Sequence, residues 1–239
     1  MKISRRDLLS GMGGAAGGLA LSCCSGAAAA LAVEAPAAKE AEVTAVEDLM
    51  REHGILRRAL FVYSETAAKL RSSPASVAPD ALQKTARLFR DFGEDYHEKK
   101  LEETYVFPAV KRVGGGASGY ADILIAQHER GRQITDHVLS VTRQTSLGGG
   151  NAEQLAKALD AMVRMYRAHA AREDTVVFPA WKKTLTAEQI YEMSEKFEEI
   201  EHQLFGDDGF EDVLRQIAAI EEELRLADLA QFTAPPTTV

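Results

Sequence analysis

Apolar residues recur at steps of three and four along most of the chain, the spacing that places side chains on one face of an α-helix. Between about Thr44 and Ser72 the stripe is Leu49, Leu56, Leu60, Tyr63 and Ala67, with His53 in its middle. Ser72-Ser73-Pro74 stops this helix, and Pro79 opens the next. The second helix runs to about Val113, with Leu82, Ala86, Phe89, Gly93 and His97 on one face. Past His97 the stripe resumes one residue out of phase, as Glu102, Tyr105, Val106 and Ala109. Positions five apart lie about 140° apart around an ideal α-helix, so His97 and Glu102 could not both face inward. A single-turn π-bulge between them restores the phase, and one is expected there. The competing expectation is that Glu98 or Glu103 faces inward and Glu102 is solvated.

Gly114-Gly115-Gly116 breaks the pattern, and a third helix follows from about Gly119 to Thr145, with Leu124, His128, Gly131, Thr135, Val138 and Thr142 on one face. Gly148-Gly149-Gly150 breaks it again. The fourth helix covers about Asn151 to Lys183 and faces Leu155, Leu159, Met162, Tyr166, His169, Glu173, Val177 and Ala180 inward. Pro108 and Pro179, late in helices two and four, should kink or end them. Thr186-Ala-Glu-Gln189 is a capping-box pattern that starts a fifth helix to about Phe205, and a sixth spans about Phe210 to Arg225. Four long helices with short connections imply an all-α, up-down-up-down four-helix bundle, with two extra C-terminal helices packed outside it. The expected organisation is a leader over 1–32, a linker over 33–43, the bundle over 44–184, and a helical annex and tail over 185–239.

Two stretches of the pattern repeat. His97-Glu-Lys-Lys-Leu-Glu102-Glu-Thr-Tyr-Val-Phe107-Pro108 is echoed by His169-Ala-Ala-Arg-Glu173-Asp-Thr-Val-Val-Phe178-Pro179. With one residue of slack after the His, Glu102 aligns with Glu173, Glu103 with Asp174 and Phe107 with Phe178. Each copy is preceded by a solitary His on another stripe, His53 before the first and His128 before the second. Self-similarity at this spacing marks a duplicated helical hairpin.

The duplicated unit carries metal-binding chemistry. Four helices each present one inward His (His53, His97, His128, His169), and two add an inward carboxylate (Glu102, Glu173). Antiparallel packing lets all six meet at similar depth. A single buried His is as often a satisfied core residue as a ligand, but buried carboxylates without a cation are costly. Two dipositive ions bridged by two carboxylates leave positive charge for an exogenous ligand to balance. Six protein ligands do not saturate two octahedral ions, so positions stay open for a small molecule. Imidazole with carboxylate suits iron, with zinc and manganese as rivals. The order, His first and Glu later, separates the site from the Glu-x-x-His class of di-iron bundles.

Composition narrows this further. At 239 residues and 46% apolar the chain can bury one sizeable core. The formal charge of −8 argues against nucleic acid as a partner. Cys23 and Cys24 are the only cysteines, and both fall in the leader, so the bundle has no disulfide and no thiolate ligand. Lys2, Arg5 and Arg6 precede a short, mildly apolar Gly/Ala stretch, and Ser4-Arg5-Arg6-Asp7-Leu8-Leu9 resembles the twin-arginine motif of folded-protein export. Cleavage after Ala30-Leu31-Ala32 fits a small-x-small rule. The expected location is periplasmic, with lipid attachment at Cys23 or Cys24 on the periplasmic side of a membrane as the alternative.

With these residues in place the chain resembles the hemerythrin family, specifically its HHE cation-binding domain, over about residues 44–184. The match is carried by His169-x-x-x-Glu173 with Phe178-Pro179, and by His97, Glu102 and Phe107-Pro108 with one extra residue between the ligands. The resemblance implies a non-haem di-iron centre, oxo- or hydroxo-bridged, in a four-helix bundle. Oxygen-carrying hemerythrins have a second His four residues after the third-helix ligand, where this chain has Arg132. The four-His, two-Glu set is more similar to di-iron proteins linked to repair of iron centres under nitrosative stress. Those work in the cytoplasm, whereas this chain begins like an exported one. Two functions follow as expectations: binding a diatomic ligand (oxygen or nitric oxide) or buffering iron, and, as the alternative, a di-iron peroxidase or oxidase acting on peroxide or oxygen. Tyr166, one turn before His169, reads as a core tyrosine or as a donor to the site. Gly93 and Gly131 read as close helix packing or as the lining of a channel. His137 and His202 read as solvated.

Overall fold

Thr44 starts the first helix, α1 (Ala45–Ser72), with a full capping box: its side chain accepts from the Glu47 amide while the Glu47 carboxylate accepts from the Thr44 amide. The computed structural model describes residues 43–143, 147 and 150–237. Helix α2 is built from three consecutive segments, α-helical over Pro79–Leu88, π-helical over Phe89–Val106 and α-helical again over Phe107–Val113. Helix α3 is Ser118–Val141. Helix α4 is α-helical over Asn151–Arg172, π-helical over Glu173–Val177 and α-helical over Phe178–Lys182. Helices α5 (Ala187–Phe205) and α6 (Gly209–Leu224) follow, and no strand occurs among the described residues. The export motif, the candidate cleavage site, Cys23 and Cys24 lie outside the described residues.

The expected π-bulge is present but longer than one turn. With i→i+5 hydrogen bonding, residues five apart stack on one face. Phe92, His97, Glu102 and Phe107 follow that step, and all four are buried. A second π segment in α4, which the stripe did not require, ends with the Phe178 amide bonded to the Glu173 carbonyl. Both prolines sit where π gives way to α: Pro108 and Pro179 are each second in the α segment that follows. Neither ends its helix there, because a proline near the start of a new α segment lacks an amide that has little use there. Helix α2 instead ends at Gly114 and Gly115, both at positive φ (76° and 82°), a conformation open to glycine. Helix α3 stops at Val141 rather than near Thr145, with the Thr142 amide bonded to the Val138 carbonyl.

Helix α1 packs along α4 and against α2, and α3 lies against both α2 and α4. Helices α5 and α6 pack on each other and on α1 and α2. One buried apolar cluster runs through all six helices, from Leu49 and Leu82 to Phe197, Ile217 and Ile220. Trp181 stacks on Phe197 at 5.8 Å between centroids, and Ser194 Oγ accepts from the Ala45 amide that opens α1. No helix among the described residues is long and apolar enough to cross a membrane.

Candidate metal centre

All six residues singled out from the sequence converge inside the bundle, and each is at most 3% exposed. The imidazoles meet in pairs. His53 Nε2 lies 3.1 Å from His97 Nε2, and His128 Nε2 lies 3.1 Å from His169 Nε2. Two nitrogens about 2.1 Å from one ion, at right angles, would stand roughly 3 Å apart. Glu102 sits between the pairs, one oxygen 3.3 Å from His97 Nε2 and the other 3.3 Å from His128 Nε2. Glu173 Oε2 lies 3.0 Å from His169 Nε2 and 3.5 Å from His53 Nε2.

The orientation of the rings comes from residues that stripe reasoning missed. Each ring presents Nδ1 outward to an acceptor: His53 to Asp174 (2.7 Å), His97 to Glu52 (2.7 Å), His128 to Glu103 (2.8 Å) and His169 to Gln127 (2.9 Å). An acceptor at Nδ1 places the proton there and turns the Nε2 lone pair inward. The arrangement repeats with the sequence. Glu52 and Gln127 each precede the first His of a hairpin and hold the second. Glu103 and Asp174 each follow the shared carboxylate of one hairpin and hold the first His of the other. Arg57 and Arg132, each four residues after that first His, in turn donate to Asp174 and Glu103. Phe178 stacks on His53 at 5.4 Å and Phe107 on His128 at 5.6 Å, which is the packing role of the repeated Val-Phe-Pro. The repeat alignment of Glu103 with Asp174 was the signal that could have revealed the crossed partners. Glu52 and Gln127 had none, because their role depends on the pairing of helices.

The donor set fits a metal. Four Nε2 lone pairs and four carboxylate oxygens point into one buried space, and none of the Glu102 or Glu173 oxygens accepts a hydrogen bond from the described residues. A pocket of acceptors without donors is suited to cations. The same surplus shows in proton affinity. Burial opposes charge on His128, yet the carboxylates of Glu98, Glu102 and Glu103 outweigh it and push the imidazole up to about 10. His97 is raised well above its ordinary value in the same way, against burial, by Glu102 and Glu52. Groups of buried ligand atoms within 4.8 Å of one another include Glu102, His128, His169 and Glu173, and His53, His97 and Glu102.

A model of the hemerythrin HHE cation-binding domain matches residues 44–181, and again residues 121–234. The chain belongs to the hemerythrin family. The hemerythrin-like chain is also 43% identical over 235 residues to proteins of Mycobacterium bovis and of two Mycobacterium tuberculosis strains, CDC 1551 and H37Rv, each described as an uncharacterized protein. These alignments cover 97% of this chain and 91% of each relative. No solved structure matches it. The family binds metal, typically iron, and this hemerythrin-like fold supplies the His and Glu clusters to do so.

Beside the candidate ligands lies a cavity of about 10 Å³, lined by His53, His97, His169, Leu56, Glu98 and Tyr166 among others. That is room for about one water-sized molecule. Its polar wall is a network the sequence did not reveal. The Tyr166 hydroxyl donates to Glu98 Oε1 at 2.6 Å, and Arg132 donates to Glu98 Oε2 at 3.1 Å and to Glu103 at 2.6 Å. Glu98 and Glu102 are not alternatives on the inward face, as the stripe implied; the widened helix buries both. Gly93 and Gly131 serve close packing, since a Cβ would come within 2.9 Å of Leu56 and 2.1 Å of Tyr166 respectively. His137 and His202 are exposed, and His202 pairs with Asp207.

Proposed function

We propose that this protein is an exported non-haem di-iron protein of the up-down-up-down bundle type that binds a diatomic ligand, oxygen or nitric oxide, or buffers iron. The observation that carries the reading is the buried pocket of acceptors formed by four Nε2 atoms and the carboxylates of Glu102 and Glu173. One ion would take His53 and His97, the other His128 and His169, with Glu102 and Glu173 shared. Bound iron would supply open coordination positions and redox chemistry. The chain's own residues hold the rings in one tautomer, keep bulk water out through Leu56, Leu60, Phe107 and Phe178, and leave a cavity about the size of one water beside them. Export rests on the Ser4-Arg5-Arg6-Asp7-Leu8-Leu9 start, with lipid attachment at Cys23 or Cys24 as the other route to the same compartment.

The second reading is a peroxidase or oxidase acting on peroxide or oxygen. It is favoured by one observation, the Tyr166–Glu98 pair, which puts a hydrogen-bonded phenol and a buried carboxyl on the cavity wall. Metal analysis of the purified protein, with an ultraviolet–visible spectrum before and after anaerobic reduction, tests the shared core of both readings. About two irons per chain with oxo-bridge charge-transfer bands are expected. Zinc, or a metal-free protein that stays folded and takes up no iron, would overturn it. Exposure of the reduced protein to oxygen, nitric oxide or peroxide then separates binder from enzyme: a stable adduct supports the first reading, and sustained peroxide or oxygen consumption the second.

A further inference from the structure

The two halves of the centre repeat each other closely, and among the four acceptors at Nδ1 they differ at one. His53 and His128 are matched: each gives Nδ1 to a carboxylate, Asp174 or Glu103, which also accepts from an arginine, Arg57 or Arg132. His97 and His169 are not. His97 gives Nδ1 to the Glu52 carboxylate, whereas His169 gives Nδ1 to the neutral amide oxygen of Gln127. Glu52 is fully buried, and its other oxygen accepts from the Tyr96 hydroxyl at 2.8 Å. The buried side chains of Asp48 and Glu201 each place a carboxyl oxygen within 4.8 Å of it. Behind His169 the half-buried Gln127 supplies a dipole only. Glu98, the remaining acid near the second pair, stands 3.9 Å from His128 Nδ1 and already gives its oxygens to Tyr166 and Arg132.

A carboxylate behind a histidine makes its other nitrogen a stronger donor to a metal, and such partners change metal affinity by about 10- to 100-fold. We infer that the two metal sites are unequal: the first ion binds between His53 and His97, and the Glu52/Gln127 difference sets that order. The inference rests on the di-metal reading above. It goes beyond it by ranking the sites and naming the pair of residues, neither of them a ligand, that ranks them. Glu52 and Gln127 act here as positioning residues, through the rings they hold.

The test uses the full-length protein stripped of metal and titrated with ferrous iron without oxygen. Calorimetry on the wild type should show two steps separated by about 10- to 100-fold in affinity. Crystals prepared with one equivalent of iron per chain should show anomalous scattering concentrated between His53 and His97. Gln127→Glu should merge the two steps, and the exchanged variant Glu52→Gln/Gln127→Glu should move the first equivalent to the His128/His169 side. Equal occupancy of both sites by the first equivalent in the wild type would overturn the inference, as would an unchanged order in the exchanged variant. Because the wild-type measurement stands alone, a variant that fails to fold leaves the inference open to refutation. Failure of the wild type to take up any iron is a separate result: it would sink the metal reading itself.

Discussion

The Tyr166 hydroxyl fills the place that a Cβ on Gly131 would need, 2.1 Å away, while its donated bond reaches Glu98 Oε1 at 2.6 Å. Helix α3 can approach α4 beside the candidate metal centre only because residue 131 has no side chain. Gly131→Ala should gain about 1 kcal/mol in helix propensity. It should lose more, about 1–3 kcal/mol, by forcing the phenol out of its position. Tyr166→Phe should cost about 1–3 kcal/mol by leaving Glu98 short of a donor. Because both changes break the same bond, the double variant should cost less than their sum, which urea unfolding of the four proteins would read. Strict additivity would show that the glycine and the hydroxyl are not coupled.

Ligand removal should show in metal content before it shows in fold. His128→Ala and Glu173→Ala each remove a group at the meeting point of the two ligand pairs. Each is expected to lower iron from about two per chain to one or less, with the helical circular dichroism retained. Full metal retention in both variants would mean that the ions bind elsewhere.

Glu94 should make stability depend on pH. It is fully buried in the π segment of α2, accepts from Thr135 Oγ1 at 2.6 Å, and lies 2.8 Å from Arg90 Nε without hydrogen-bond geometry. Burial dominates, and its carboxyl is pushed up to about 8. A folded-state value raised above the unfolded one gives stability that is fully present below the unfolded value. That stability is lost as pH rises from about 4.5 through about 8, where the folded protein must give up a proton that the unfolded chain has already lost. Glu94→Gln should remove this contribution. Relative to the wild type, the variant should gain on the order of a few kcal/mol between pH 5 and pH 9, measured by denaturant unfolding at fixed metal content. A difference that does not change with pH would place the titration elsewhere.

Ile217, on α6, is fully buried in the cluster that also contains Leu49 and Leu82. Truncation to alanine should cost about 2–4 kcal/mol and leave one cooperative transition. If the annex is instead an independent layer, the variant will unfold in two steps, with helices α1–α4 melting at the wild-type temperature.

What the linear sequence determined by itself was largely periodicity and repetition. Six helices, their ends to within a few residues, and the four His and two Glu on inward stripes follow from spacing, because a helix's buried face is a local property of its own residues. The phase slip between His97 and Glu102 even announced a π segment, since a one-residue offset on one face has few other remedies. The tertiary structure decided what local spacing does not encode. It paired the imidazoles across helices, His53 with His97 and His128 with His169. It brought Glu103 and Asp174 to the histidines of the opposite hairpin, and Glu52 and Gln127 to the rings of the helix beside them. Those contacts join residues that are 25 to 121 positions apart. They exist only once the apolar faces have packed, and packing alone revealed that the second imidazole of each pair is held by a carboxylate in one half and by an amide in the other.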